Sequence, residues 1–246
     1  MMTRPLFAAF ALAAYAVFFA TFLYLIGFLA DFSVLPRTVD DGPLVAPVVA
    51  ALIDLGLIAL FGLQHSIMAR PAFKRAWART IPEPIERSVY VLFSSLLLIL
   101  MMAFWHPIPG DVWRVEGPFA VALWAMCALG WALVLLSTFL LNHFELFGLR
   151  QAYFHLRGKL AGPPEFHQPL LYRIIRHPLY LGFVIAFWAT PAMSWGHLLF
   201  AAAMTGYILI AIPMEERDLV TALGPAYEDY QRRVGALVPG IGRRAV

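Results

Sequence analysis

Residues 44–69 read LVAPVVAALIDLGLIALFGLQHSIMA. A single carboxylate, Asp54, interrupts a run that exceeds the ~20 apolar residues needed to cross the hydrocarbon of a bilayer as a helix. In lipid a helix satisfies every backbone polar group of its own segment, so a run of this kind is read as a membrane span. Comparable apolar runs occupy about 6–30, 88–105 and 118–141, with a shorter pair at 179–193 and 196–213. Proline, glycine and charge punctuate the gaps. The fifth run has about 15 residues, or roughly 22 Å of helix, which is less than the ~30 Å hydrocarbon thickness. The expected fold is therefore all-α: a polytopic transmembrane helical bundle, with five full spans or six including a short C-terminal hairpin, plus interfacial helices.

Composition agrees with that solvent. Hydrophobic residues make up 61% of the 246 and charged residues 13%, against roughly 25% charged in an ordinary soluble domain. The net charge of +3 does not gather on one element or stripe, which argues against nucleic acid as a partner. It marks topology instead. Of the 18 Lys and Arg residues, all but Arg37 and Arg114 precede the first run, lie between the second and third or the fourth and fifth, or follow the sixth. Arg243 and Arg244 belong to the last group. By the positive-inside rule both termini are cytoplasmic. Cys127 stands alone inside an apolar run, and the histidines lack ligand-like spacing, so neither a disulfide nor a metal site is expected.

The segment 142–178 is long and mixed. It reads as an interfacial helix over about 143–158, a break at Gly162-Pro163-Pro164, and a return to the membrane near Leu170. The chain is too short in its gaps for a separate soluble domain, so a single domain is expected over 1–246.

Two polar clusters border the last hairpin. The first is Tyr172-Arg173-Ile174-Ile175-Arg176-His177-Pro178-Leu179-Tyr180-Leu181-Gly182, in which Pro178 suits the first helical position. His177 and Tyr180 then lie one turn apart at a helix N-terminus, which favours anionic groups. Gly182 permits a close approach of backbone or ligand. The second cluster is Glu215-Glu216-Arg217-Asp218, just after Pro213. Read blandly, these are a basic interface anchor and a solvated helix end. A hairpin turning near 191–196 returns both to one cytoplasmic mouth.

Further candidates lie upstream. Asp54 and His65 are eleven residues apart and so differ by only about 20° around a helix. An intramembrane carboxylate suggests function, although Asp54 bonding a neighbouring helix would explain it equally well. His65, beside Gln64, is a candidate base or a satisfied interfacial histidine. Asn142, Glu145 and Leu149 share one face at helical spacing. Arg150 and Gln151 suit a ligand carboxylate, and Arg150 suits a lipid phosphate as well.

The ordered set Arg176-His177-Pro178-Leu179-Tyr180-Leu181-Gly182, then Glu215-Glu216, then Gly224-Pro225-Ala226-Tyr227-Glu228-Asp229-Tyr230, then Val238-Pro239 resembles the membrane methyltransferases related to isoprenylcysteine carboxyl methyltransferase. That resemblance implies a cofactor-binding part at about 142–240 holding S-adenosylmethionine at the cytoplasmic face. His177, Tyr180 and Gly182 would line it; Tyr172, Arg176 and Pro178, together with Arg150 and Gln151, are further cofactor-binding candidates. Glu215 or Glu216 would meet the cationic amino acid moiety, since a carboxylate near ammonium and sulfonium stabilises both.

Gln64-His65-Ser66-Ile67-Met68-Ala69-Arg70, Asn142-His143-Phe144-Glu145-Leu146-Phe147-Gly148-Leu149-Arg150-Gln151 and Phe187-Trp188-Ala189-Thr190-Pro191 are similar to the methanethiol S-methyltransferase branch of that superfamily. The branch implies transfer of methyl from S-adenosylmethionine to a small thiol, methanethiol, giving dimethyl sulfide; a bacterial inner membrane is the expected location, and no protein partner is indicated. Sulfur-to-sulfur methyl transfer needs a thiolate, a nearby base and little water. His65, Glu145 and Asp54 are the catalytic candidates. Rival readings are a methyltransferase acting on a prenylcysteine carboxylate or a phospholipid amine, an NADPH-linked membrane reductase, and a non-enzymatic transporter. A lipid acceptor needs an opening toward the bilayer, a reductase needs a basic phosphate pocket that Glu215 and Glu216 oppose, and a transporter would show an inverted repeat.

Overall fold

Prolines that punctuate the sequence mark where helices begin. The computed structural model describes residues 3–160, 162 and 167–242; Pro163, Pro164, Arg243 and Arg244, named above, lie outside the described residues. Pro5, Pro47, Pro71, Pro84, Pro118, Pro178 and Pro225 all sit in the first turn of a helix. There the missing N–H has no intrahelical acceptor to lose and the fixed φ is already helical. Pro213 is the exception, lying inside a helix. Such prolines are tolerated in membrane helices because neighbouring groups re-satisfy the freed carbonyl.

Among the described residues, five helices are long and apolar enough to cross a membrane: α1 (Arg4–Leu29), α2 (Pro47–Ala69), α4 (Glu83–Ala103), α5 (Gly117–Leu140) and α9 (Trp195–Leu223). The protein is an integral membrane protein. Shorter helices are α3 (Pro71–Trp77), α6 (His143–Leu146), α7 (Leu149–Leu156), α8 (Pro178–Trp188) and α10 (Pro225–Arg233), with a 3-10 turn at Leu170–Arg173. Two short strands, β1 (Asp111–Arg114) and β2 (Ala192–Ser194), pair antiparallel.

The chain divides into two compact units. Unit 1 comprises Met1–Arg114, His143–Gly162 and Ala192–Ala203; unit 2 comprises Val115–Asn142, Pro163–Pro191 and Met204–Val246. In unit 1, α4 packs against α1, α2 and α7. Trp105, almost fully buried just past α4, meets Phe28 and Phe200 edge-on and donates its indole N–H to the Val39 carbonyl. The β1/β2 pair occupies the connections next to helix ends, where otherwise unpaired backbone groups find partners.

Unit 2 is organised by the crossing of α5 on α8. A Cβ built on Gly182 would lie 2.8 Å from both the Gly130 carbonyl oxygen and the Val134 nitrogen, and one on Gly130 would lie 2.7 Å from the Ala186 nitrogen. Small residues let membrane helices approach this closely and gain dispersion energy along the contact. The close approach expected of Gly182 is thus made by the backbone of α5.

Two segments differ in detail from the sequence reading. The helix expected over 143–158 is two helices, broken where Gly148 takes φ 85. That left-handed geometry suits glycine, and a straight helix could not contain it. The expected hairpin is more unequal than the apolar runs suggested: α8 has 11 residues and α9 has 29. α8 is roughly 16 Å long and α9 roughly 43 Å. Helix α9 does not stop at Pro213 but carries Glu215 and Glu216 in its interior, about 30 Å from its start, a distance comparable to the ~30 Å hydrocarbon thickness.

Candidate functional site

The polar groups of unit 2 converge where α8 begins. Backbone pairing sets this up: Ile175 bridges to Gly235, and the N–H groups of Arg176 and His177 donate to the carbonyls of Gly235 and Ala236 at 2.9 and 3.1 Å. The strand-like entry to α8 is thereby fixed to the segment after α10.

Arg176 points inward and is 5% exposed. Its Nε donates to Glu216 Oε1 at 2.6 Å, Nη1 donates to the carbonyls of Gln231 and Val234, and Nη2 donates to the Gly242 carbonyl at 3.1 Å. All three nitrogens of the guanidinium are thus engaged by the protein, which makes Arg176 a clamp on the C-terminal segment. Glu216 is buried too. It receives His177 Nε2 at 3.0 Å on the oxygen shared with Arg176, and Gln231 Nε2 at 2.8 Å on the other. A buried carboxylate with an arginine and two further donors is a satisfied ion pair of the kind that low dielectric requires.

Glu215, one residue earlier, has a different environment. It is half-buried, and its one hydrogen bond among the described residues comes from the Tyr180 hydroxyl at 2.8 Å. The Tyr180 ring stacks on the His177 imidazole with centroids 5.5 Å apart. Tyr172 closes the cluster from below, with its hydroxyl directed to the Ser137 carbonyl and its own carbonyl taking the Tyr230 hydroxyl. Burial raises the phenol pKa of Tyr172, with Glu215 adding to it, and raises that of Tyr227, with Glu216 and Glu215 adding. Burial lifts Tyr230 to about 12 even though Arg176 opposes it. These phenols remain protonated hydrogen-bond donors.

Gln231 is the residue that the sequence reading missed. It is fully buried on α10, its amide N–H is tied to Glu216, and its Oε1 has no hydrogen-bond partner among the described residues. Only the side chain's position against Glu216 reveals it, because Gln231 lies just past the Gly224–Tyr230 motif and carries no pattern of its own.

The remaining candidates lie in unit 1, each with partners there. Asp54 is fully buried and accepts the His106 backbone N–H at 3.0 Å, while its second oxygen has no hydrogen bond among the described residues. His65 has Ser94 Oγ 3.1 Å from Nδ1 and the Tyr90 hydroxyl 2.9 Å from Nε2. Glu145 and Arg150 pair with each other at 3.0 Å, and Gln151 donates to the Glu145 carbonyl at 3.2 Å. His143, which follows α5, meets the Tyr15 hydroxyl at 2.8 Å, and its pKa is lowered by burial.

Long apolar helices define a membrane-embedded protein, and in unit 2 helices α8 and α9 meet in a buried Arg-Glu-His cluster. No family model matches the chain, and no solved structure matches it significantly. Curated relatives do. The chain is 52% identical over 240 residues to the methanethiol S-methyltransferase of Mycobacterium tuberculosis, covering 97% of this chain and 98% of the relative. It is 45% identical over 245 residues to that of Crocosphaera subtropica, covering 99% and 96%. The nurim of Xenopus laevis is 33% identical over 177 residues, covering 68% of this chain and 61% of nurim. The chain belongs to the methanethiol S-methyltransferase family.

Proposed function

We propose that this protein transfers a methyl group from S-adenosylmethionine to the sulfur of methanethiol, giving dimethyl sulfide, with the site at the cytoplasmic face of a bacterial inner membrane. The observation that carries the acceptor is the near-full-length likeness to relatives named for that substrate. The donor side rests on the chemistry of unit 2. Glu215 offers a carboxylate outside the Arg176–Glu216 network and oriented by Tyr180, which suits an amino acid ammonium. The basic residues that flank alternate connections support both termini in the cytoplasm, where the donor is made.

Tyr180 and Glu215 would hold the cofactor's cationic end, and His177 would lie beside it. Arg176, Glu216 and Gln231 support them from behind by fixing α8 to α9 and α10, while Gly182 sets the depth of α8 on α5. Bound there, S-adenosylmethionine supplies a methyl group made electrophilic by its sulfonium. The protein's part is to orient that group, keep water away and manage one proton.

Purified protein in detergent, given S-adenosylmethionine and methanethiol, is expected to release dimethyl sulfide into the headspace. Cofactor binding without product would overturn the thiol acceptor. Absence of cofactor binding would overturn the donor.

A further inference from the structure

We infer that His177 is the group that accepts the thiol's proton, and that it does so at Nδ1. This rests on the methanethiol reading above and deepens it, since that reading leaves the base unnamed.

The argument is one of tautomer. Glu216 Oε1 lies 2.6 Å from Arg176 Nε and 3.0 Å from His177 Nε2. A carboxylate paired with a guanidinium is ionised and can only accept. Nε2 must therefore carry the hydrogen, and in the neutral imidazole Nδ1 carries the lone pair. Nδ1 has no hydrogen bond among the described residues, so its lone pair is not engaged by the protein. A carboxylate holding one imidazole nitrogen while the other faces a reacting group is the arrangement by which histidine bases are oriented and their cations stabilised. His65, by contrast, has a hydroxyl on each nitrogen.

Location and charge agree. The imidazole stacks on Tyr180, whose hydroxyl reaches Glu215, so the base and the carboxylate proposed for the cofactor's cation are side by side. The charged and titratable groups of the cluster that holds His177 are Glu215 and Glu216 on α9, Arg176 and Tyr180 on its own segment, Tyr172 in the turn before it, and Tyr227 and Tyr230 on α10. With the phenols neutral, two carboxylates face one guanidinium.

In the step, the S–H bond of the thiol breaks and an N–H bond forms at Nδ1. The sulfur's freed electron pair makes the new S–C bond as the methyl leaves the sulfonium, which becomes a neutral thioether. The imidazolium then loses its proton to water, so one proton is released per turnover.

His177→Gln tests this, because the glutamine amide reaches the ε position and keeps a donor to Glu216 while removing the δ nitrogen. At saturating cofactor, with its affinity measured separately by calorimetry, kcat for methanethiol should fall about 100-fold or more. A small fluorinated thiol, already ionised near neutral pH, should recover most of that loss. In the wild type the acid limb of the pH–rate profile should stay fixed as thiol acidity is varied, whereas in the variant it should move with the thiol. Independent of activity, nitrogen NMR of histidine-labelled wild type without donor should show His177 protonated at Nε2 and bare at Nδ1. An Nδ1–H tautomer, a wild-type limb that tracks thiol acidity, or equal loss on both thiols would overturn the assignment. If His177→Gln fails to fold, the wild-type profile and the tautomer decide alone. Failure of the wild type to methylate methanethiol while the tautomer holds would count against the proposed function instead.

Discussion

Arg176 Nε and Glu216 Oε1 stand 2.6 Å apart, forty residues separated in sequence and with water almost wholly excluded. Their pairing joins the start of α8 to the interior of α9, and the remaining donors of Arg176 hold the chain beyond α10. Removing one partner strands the other charge in a poor solvent. Arg176→Met is therefore expected to destabilise the fold by about 3–5 kcal/mol, read as a large drop in the thermal midpoint in detergent. A midpoint unchanged within error would show the pair to be dispensable.

Glu215→Gln should behave differently. Its carboxylate lies outside the buried network, so the thermal midpoint should hardly change. Cofactor affinity should weaken about tenfold or more, equivalent to at least ~1.4 kcal/mol. Tyr180→Phe should weaken it in the same direction by removing the hydrogen bond that orients Glu215. Titration calorimetry on both variants checks this, and unchanged affinity in both would remove Glu215 from the binding site.

The crossing of α5 on α8 gives a prediction with its own control. Gly182→Val places a side chain against backbone atoms that cannot yield, and should cost about 2 kcal/mol or more. Gly206→Ala in α9 meets nothing within 4 Å and should be neutral or mildly stabilising. Comparable losses in the two variants, measured by denaturant or thermal unfolding, would contradict the packing argument.

His143 should make stability depend on pH. Its pKa in the unfolded chain is about 6.5, and burial against Tyr15 lowers it in the fold. Below about 6.5 the unfolded state takes up a proton that the folded state refuses, so stability falls as pH drops from 6.5 toward the folded pKa. Above 6.5 this contribution is fully present. His143→Gln should flatten that part of the stability–pH curve measured by thermal melts between pH 7.5 and 5, and an unchanged slope would place the dependence elsewhere.

The membrane class and the number of spans were legible because apolar length is a one-dimensional property, and so were the helix starts, since proline acts on its own first turn. The cluster around His177 was legible as a motif, Arg176 through Gly182 followed by Glu215 and Glu216. What each member does was not. Glu215 and Glu216 are neighbours in sequence, yet one helix step of about 100° sends one into the Arg176 clamp and leaves the other beside Tyr180. Gln231 carried no signal, because its importance lies in the carboxylate it touches. Asp54, His65 and Glu145 show the reverse: polar residues in apolar surroundings draw attention, and only packing reveals the backbone N–H, hydroxyls and guanidinium that meet them. The split of α6 from α7 turns on one positive φ, at Gly148.

The shortness of α8 also bears on how the protein is made. At 11 residues it is too brief to partition into a bilayer by itself during synthesis. Its insertion must lean on α5, already resident, through the glycine contact at Gly130 and Gly182. The charged cluster can then close only after α9 and α10 have emerged from the ribosome to supply Glu216 and Gln231. Completion of the site is thus a post-insertion event, and a nascent chain arrested before residue 215 would hold α8 by its contact with α5 alone, without the charged clamp.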